Sequence, residues 1–347
     1  MKRKLFLAAA VASALGSVMG MAATASAQAP AKPDKLVVAA YGGIWSDSVR
    51  KNFVPCFEQK TGTKVEIITG ESADWLARIR ANPTNPPIHV VALAEADSLR
   101  AGREGLLEQA TVAKLPNLAD IPDQFHKPWN DYSVAQNMGG LGVMYNKAAV
   151  PNPPASWREL IDNIAAGKYG KRVSMPAGTY TWGPEFIWLV SQQYGGDVDM
   201  AFRKLKEASK YVVKFWNTPV EALNLFGTKE VDVLVYWDGR AISFIDKGND
   251  WAGFYLPAPK TIVGLAMLSK VKNAPAIAWE YINCALAPEN QLKHAQTILY
   301  AVPNTKVSYP DAIKDKVMPA DKVMVPPYEQ IFDKFGGWIE RWNKEMR

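Results

Sequence analysis

Residue types with three different binding chemistries occur together at Trp237-Asp238-Gly239-Arg240, directly after the apolar run 231–235. An aspartate can pair with an amine, and an arginine can hold a carboxylate through two parallel hydrogen bonds. An indole can cover an alkyl chain or a cation. A structural role is the alternative, in which Asp238 caps the following helix and pairs with Arg240. The segment gives our first candidate ligand-binding residues: Trp237, Asp238 and Arg240.

Aromatic residues beside glycine mark two further candidate segments. Tyr41, Gly43 and Trp45 follow an apolar run, and a glycine there allows a positive φ and a close approach of the main chain to a ligand. Tyr180 and Trp182 precede a Gly-Pro pair that fits the first turn of a helix, a position that suits an anionic group. The alternative for both segments is ordinary packing of the aromatic rings.

Acidic residues at other predicted helix starts are weaker candidates. Glu71 and Asp74, with Trp75, follow the second predicted strand, and Glu95 and Asp97 follow the third. Carboxylates in the first turn of a helix commonly do no more than interact with the helix dipole. We therefore predict structural roles for them.

The elements that must position these residues alternate along the chain. Short β-branched runs are followed by helical patterns, which predicts an α/β fold with mostly parallel sheets flanked by helices. In such sheets ligands bind beyond the carboxyl ends of the strands, where the three candidate segments lie. The predicted strands of the first part are 36–40, 64–69 and 88–93, and the predicted helices are 47–60, 74–80 and 95–103.

The N-terminus has the pattern of a secretory signal peptide. Three basic residues at 2–4 precede an uncharged apolar run at 5–21, and Ala25-Ser26-Ala27 forms a small-x-small cleavage site. We predict removal of residues 1–27 and export to the periplasm. The basic start accounts for half of the net charge of +6, and no Lys/Arg cluster with interleaved aromatics follows. No nucleic-acid partner is therefore expected.

The remaining length exceeds what one hydrophobic core usually holds, so two lobes are expected. Cys56 and Cys284 are compatible with a disulfide or with two buried thiols. The three histidines His89, His126 and His294 are far apart, and no local signature of a nucleophile, metal or dinucleotide site is present. The sequence favours a binding protein over an enzyme and gives no indication of a metal or cofactor.

Two further motifs resemble the solute-binding proteins of ABC transporters. Residues 142–147 (GVMYNK) and 153–160 (PPASWREL) are similar to the family's G-x-x-Y-N and P-P-x-S-W-x-E-L motifs. The segments 41–45 and 103–108, and Pro303-Asn304, resemble the spermidine/putrescine-binding group. The resemblance covers nearly the whole chain after the signal peptide.

This resemblance implies a type II periplasmic-binding fold, in which two α/β lobes close on a ligand. It implies an N-terminal lobe of residues 28–138 and 262–306 and a C-terminal lobe of residues 139–261 and 307–347. It also implies a small-molecule solute, the membrane permease subunits of an ABC importer as partners, and a monomer.

One departure from the polyamine-binding group concerns the predicted return strand. That group usually has a carboxylate there, whereas residues 261–268 (TIVGLAML) contain no acid. An amine-containing or zwitterionic solute is therefore expected, such as a polyamine-like compound, an amino acid or an ω-amino acid. The alternatives are a ferric or oxyanion receptor of the same fold and a secreted α/β enzyme.

Overall fold

The computed structural model describes residues 33–318 and 322–346. The predicted signal peptide, residues 1–27, lies outside these ranges. Within them, strands and helices alternate as predicted, and eleven strands form one continuous mixed sheet. The main strand order is β2-β1-β3-β10-β5-β8-β6-β7.

Three parallel strands form one end of this sheet. Strands β1 and β3 are buried runs rich in valine and alanine, which suits strands covered on both faces, whereas the edge strand β2 is more exposed. Strand β1 pairs in parallel with β2 on one side and with β3 on the other. The strands are β1 Lys35–Ala40, β2 Lys64–Thr69 and β3 Val90–Leu93, and the two-residue β4 is Leu107–Glu108.

Two long antiparallel strands cross the middle of the sheet: β5 Val134–Asn146 and β10 Thr261–Val271. Strand β5 pairs with β10 as far as Gly140 and with β8 from Leu141 onward. The change of partner divides the strands into two groups. The lobe boundaries near residues 139 and 262 stay a prediction from the sequence.

The other end of the sheet again contains parallel strands. Strand β6 pairs in parallel with β7 and β8, whereas β9 pairs antiparallel with β5. The two-residue β11 pairs with the start of β10. These strands are β6 Val173–Pro176, β7 Val212–Trp216, β8 Val233–Trp237, β9 Ala252–Tyr255 and β11 Val323–Met324.

Helices connect most of these strands. The described α-helices are α1 Ile44–Asn52, α2 Val54–Thr61, α3 Ser72–Ala81, α4 Glu95–Arg103, α5 Trp157–Ala165, α6 Gly183–Gln192, α7 Val198–Ser209, α8 Pro219–Gly227, α9 Asp238–Ile245, α10 Ala278–Leu286, α11 Pro288–Ile298, α12 Asp311–Lys314, α13 Tyr328–Ile331 and α14 Phe335–Glu345. We call β1–β4 with α1–α4, α10 and α11 the first lobe, and β6–β9 with α5–α9 the second lobe.

The prediction of a single helix over 47–60 is wrong. The chain forms α1 and α2 with a break at Phe53. Pro55 has no N–H to donate to a preceding turn, so one continuous helix would lose a hydrogen bond there.

A disulfide joins Cys56 in α2 to Cys284 in α10, across a sequence separation of 228 residues. Around it the first lobe buries large aromatic rings, including Phe53, Phe57 and Tyr281. Of the two alternatives left open by the sequence, the structure contains the disulfide. The core of the first lobe is thus assembled from segments far apart in the sequence.

The C-terminal segment contacts both lobes. Trp342 packs edge-on against Phe215 of β7, with the ring centroids 4.9 Å apart. Nearer the start of this segment, the ring of Phe332 lies with its centroid 5.1 Å from the guanidinium of Arg103 in α4 of the first lobe. The segment therefore forms a further link between the lobes besides the crossing strands.

Candidate functional site

A cavity of about 40 Å³ lies where the two lobes meet beside the crossing strands. This volume is enough for a few water molecules. Six of the eight predicted site residues line the cavity: Tyr41, Trp45, Tyr180, Trp182, Trp237 and Arg240. The three candidate segments, widely separated in sequence, thus meet at one place.

The aromatic lining forms a continuous set of contacts across the cleft. The centroids of Tyr41 in the first lobe and Trp182 in the second are 5.5 Å apart. Trp182 also contacts Trp237 at 5.3 Å and Tyr180 at 5.8 Å. The indole N–H of Trp237 donates to the hydroxyl of Tyr180 (3.0 Å). Trp182 therefore occupies the centre of the aromatic surface.

Arg240 is the charged residue of this lining. It is only 6 % exposed, and its Nη2 donates to the main-chain oxygen of Gly42 across the cleft (3.1 Å). Within the described residues, no carboxylate oxygen lies within 4.0 Å of its guanidinium. A guanidinium has five N–H donors and stays charged, so donors remain for a ligand.

Gly43 lies beside Arg240 rather than in the cavity wall. Its φ of +70° is in the left-handed region, as the predicted turn requires. A Cβ at this position would be 3.3 Å from Nη1 of Arg240. The glycine therefore gives the arginine the room to approach the first lobe.

Asp238 points away from this cavity and lines a neighbouring one with residues of α9 and β9. Its Oδ1 accepts from the N–H of Gly239 (2.6 Å), while its Oδ2 has no partner among the described residues. Burial raises the pKa of Asp238 to about 7. The alternative in which Asp238 pairs with Arg240 is not found, because the two residues face different cavities.

Two carboxylates of the first lobe accept hydrogen bonds from neighbouring residues of the second. The indole N–H of Trp182 donates to Glu95 (2.7 Å), and the hydroxyl of Thr181 donates to Glu71 (2.8 Å). Burial raises the pKa of Glu95 to about 8 and that of Glu71 to about 7, and the hydrogen bonds partly oppose these shifts. From the sequence both acids were only weaker candidates for ligand contact, with structural roles predicted for them.

Other lining residues were also missed: Asn137, Gly139, Pro219, Gly264, Ala266 and Tyr300. Four of these lie on the crossing strands. A Cβ at Gly264 would lie 2.7 Å from the ring of Trp237, so the glycine lets this indole lie against β10. The sequence did contain one indication of these residues: the two long strands at 134–146 and 261–271 contain glycines, which allow other groups to approach the main chain closely.

The histidines have structural environments. His294 is fully buried, its Nδ1 is hydrogen-bonded to Ser48 (2.7 Å), and burial lowers its pKa to about 3. The Nδ1 of His89 accepts from the main-chain N–H of Val37 (3.0 Å). Within residues 33–318 and 322–346, no three His, Cys, Asp or Glu side chains lie close enough to hold a metal ion. No helix in the described part of the chain is long and apolar enough to cross a membrane.

The chain resembles known proteins over most of its length. It is 24 % identical to the thiamine-binding periplasmic protein of Escherichia coli over 295 residues, which cover 84 % of this chain and 86 % of that one. Its structure is similar to that of AgtB from Agrobacterium tumefaciens in complex with agropinic acid, with a TM-score of 0.77, 20 % identity, and coverage of 91 % and 99 %. The Atu4243-GABA receptor matches with a TM-score of 0.70, 20 % identity, and coverage of 90 % and 98 %.

These structures confirm the predicted two-lobed periplasmic-binding fold. The family model described as bacterial extracellular solute-binding protein matches residues 53–320, about three quarters of the chain. The chain therefore belongs to the family of bacterial extracellular solute-binding proteins.

Proposed function

We propose that this protein is the periplasmic receptor of an ABC importer and that its solute carries a carboxylate bound by Arg240. The solute is captured between the lobes, and the loaded receptor delivers it to the permease subunits as a monomer. No chemical conversion of the solute is part of this function. The buried Arg240, with no carboxylate partner among the described residues, is the observation that carries the proposal.

The charge of Arg240 is buried. Taking a guanidinium out of water is unfavourable unless an opposite charge or several hydrogen bonds compensate it. Arg240 donates to Gly42, and Tyr300 lies close to it, so protein groups compensate it only in part. A solute carboxylate can accept two parallel N–H bonds from the same guanidinium. We infer that the carboxylate completes this compensation.

The rest of the cavity suits a short alkyl or unsaturated body. Tyr180, Trp182 and Trp237 present ring surfaces beside Arg240, and aromatic rings bind alkyl groups and cations. The volume of about 40 Å³ is below that of such a solute. We therefore propose that the solute enters a more open form and that the lobes close on it, with the aromatic side chains adjusting.

In this proposal a positively charged end of the solute extends past Tyr180 toward Glu71, which lines an adjacent cavity that shares Tyr180 with the first. Glu71 is close enough to Arg240 for the positive charge to lower its pKa against the effect of burial. A zwitterion would supply a carboxylate to Arg240 and an ammonium group to Glu71. Asp238, the amine partner predicted from the sequence, faces another cavity, so its position supports a role in holding the start of α9 instead.

A second candidate is an organic cation. Several relatives are thiamine-binding proteins at 23–25 % identity, and the aromatic lining also suits a flat cation. The two candidates make opposite predictions for the positive charge of Arg240, because this charge attracts a carboxylate and repels thiamine.

Calorimetry with the wild type and Arg240→Ala separates them. For 4-aminobutyrate or agropinic acid, we expect a loss of about 2–5 kcal/mol on substitution, roughly 30-fold or more in affinity. Arg158→Ala, an exposed arginine of the second lobe, is the control and should bind as the wild type does. If thiamine binds the wild type and binds Arg240→Ala more tightly, the cation candidate replaces the carboxylate one.

A further inference from the structure

We propose that Glu95 is a positioning residue for the solute cavity: it fixes the Trp182 ring by joining the first lobe, the crossing strand β10 and the second lobe. We call Glu95, Leu265 and Trp182 the Glu95 junction. The inference rests on the proposed function only in taking the cavity beside Trp182 as the solute site. The hydrogen bonding of the junction is a property of the closed form and can be tested separately from affinity.

Both oxygens of the Glu95 carboxylate accept hydrogen bonds from different parts of the fold. Oε1 accepts from the main-chain N–H of Leu265 in β10 (2.7 Å), and Oε2 accepts from the indole N–H of Trp182 (2.7 Å). The main-chain oxygen of Glu95 accepts from the indole of Trp129 (2.9 Å). The residue has no exposed surface. Each bond is short, and the whole set lies away from water.

The strand register explains why Glu95 reaches Leu265. In the antiparallel pairing of β3 with β10, Leu93 is opposite Met267, and β3 ends there. Continuing the register places residue 95 opposite Leu265, whose N–H has no further strand partner on that side. The Glu95 side chain replaces the missing strand. A buried N–H needs such a partner, so the position of the carboxylate is fixed by the crossing strand.

Trp182 is held by this fixed carboxylate from the opposite lobe. Its ring touches Tyr41, Tyr180 and Trp237, so its orientation determines the shape of the aromatic lining. When the lobes separate, the hydrogen bond from the indole N–H of Trp182 to Oε2 of Glu95 is broken. The junction therefore contributes to closure and to the same ring orientation at every closure.

Several titratable groups face the carboxylate. Asp97 lies on its own helix, Glu185 comes from α6, Tyr328 from the C-terminal segment, and Tyr41 from the turn after β1. Their proximity and burial favour the protonated carboxyl, whereas the N–H donors favour the charged one. With the pKa of Glu95 raised to about 8, its charge changes near neutral pH and alters the bond from Trp182.

The first test is a nitrogen–proton NMR spectrum of the protein labelled at its twelve tryptophans, recorded without solute and with saturating 4-aminobutyrate or thiamine, because the bond exists in the closed form. Trp182→Phe identifies the Trp182 indole signal by its loss. We expect this signal to shift with a midpoint near pH 8 and to stop titrating in Glu95→Gln. Glu185→Gln, a second fully buried acid nearby, is the control: the Trp182 signal should still titrate, because the Glu95 carboxyl is kept, although the midpoint can move with the loss of the neighbouring acid. A Trp182 signal that titrates equally in Glu95→Gln would overturn the proposal.

The second test is a double-mutant cycle on the binding of 4-aminobutyrate and thiamine. Each single variant, Glu95→Gln or Trp182→Phe, loses a hydrogen bond to a charged group. We therefore expect each to bind the compound that the wild type binds about tenfold more weakly. The double variant should bind no more weakly than the weaker single variant. If the losses of binding free energy in the two single variants add up fully in the double variant, Glu95 does not act through Trp182 and the proposal is contradicted. Weak binding of both compounds by the wild type counts against the proposed function, while the NMR titration still decides the role of Glu95.

Discussion

The two sides of the cavity are built differently. On the first lobe, Tyr41 is hydrogen-bonded to Ser72 (3.0 Å), and Trp45 donates to Asn137 (3.1 Å); all four groups are neutral. On the second lobe, Trp182 donates to a carboxylate, and Arg240 brings a buried charge. Among the residues that line the cavity, those of the first lobe are neutral and supply shape, whereas Arg240 of the second lobe supplies charge; the first-lobe acids Glu71 and Glu95 lie behind the lining.

The largest effect should come from changing the charged group of the second-lobe wall. Arg240→Lys keeps the positive charge but removes the planar pair of N–H donors, so a bound carboxylate loses bidentate geometry. We expect an affinity for 4-aminobutyrate between those of the wild type and Arg240→Ala, measured by calorimetry. Equal affinities of Arg240→Lys and wild type would mean that the guanidinium geometry is unimportant.

A smaller effect is expected from Trp237→Phe. The ring surface is largely kept, but the N–H that holds the Tyr180 hydroxyl is lost, which costs about 0.5–1.5 kcal/mol. We expect binding to weaken by roughly two- to tenfold, because Tyr180 and Trp237 both line the cavity. Trp251→Phe, at a partly buried position away from the cavity, is a matched control that should leave affinity unchanged.

The smallest effect on binding should come from the first-lobe wall. Tyr41→Phe removes the hydroxyl that is bonded to Ser72, and we expect about 1 kcal/mol less stability with affinity within about twofold of the wild type. Urea denaturation and calorimetry measure the two quantities. A loss of affinity as large as that of Trp237→Phe would remove the difference between the walls.

The buried acids predict a pH dependence of stability. Burial raises the pKa values of Glu71 and Asp238 to about 7 and that of Glu95 to about 8, so the folded protein binds more protons than the unfolded chain above about pH 4. The contribution of these three acids to stability is therefore highest at the acidic end of this window and is lost as pH rises toward 8. Melting temperatures between these pH values measure the loss, which should be smaller in Asp238→Asn.

Much of the fold could be predicted because it depends on local patterns. The strand at 64–69 and the helix at 95–103 were predicted with the same bounds that the structure has. The meeting of Tyr41, Tyr180 and Trp237 followed from one rule about the carboxyl ends of parallel strands.

The rest depended on orientation and on contacts between distant segments. Asp238 follows Trp237, and successive side chains at a strand end point to opposite faces, so the two residues face different cavities. Glu95 was interpreted as an ordinary helix-start acid, because its partners Leu265 and Trp182 are far away in sequence. That Asn137 and Tyr300 line the cavity could not be predicted without knowing how the crossing strands pair.

The most direct test of the account is a crystal structure of the protein with the carboxylate solute that binds it most tightly, starting from 4-aminobutyrate and agropinic acid. We expect both carboxylate oxygens at about 2.7–2.9 Å from guanidinium nitrogens of Arg240, with the solute body against Trp237. A carboxylate bound elsewhere, with Arg240 contacting only protein groups, would contradict it.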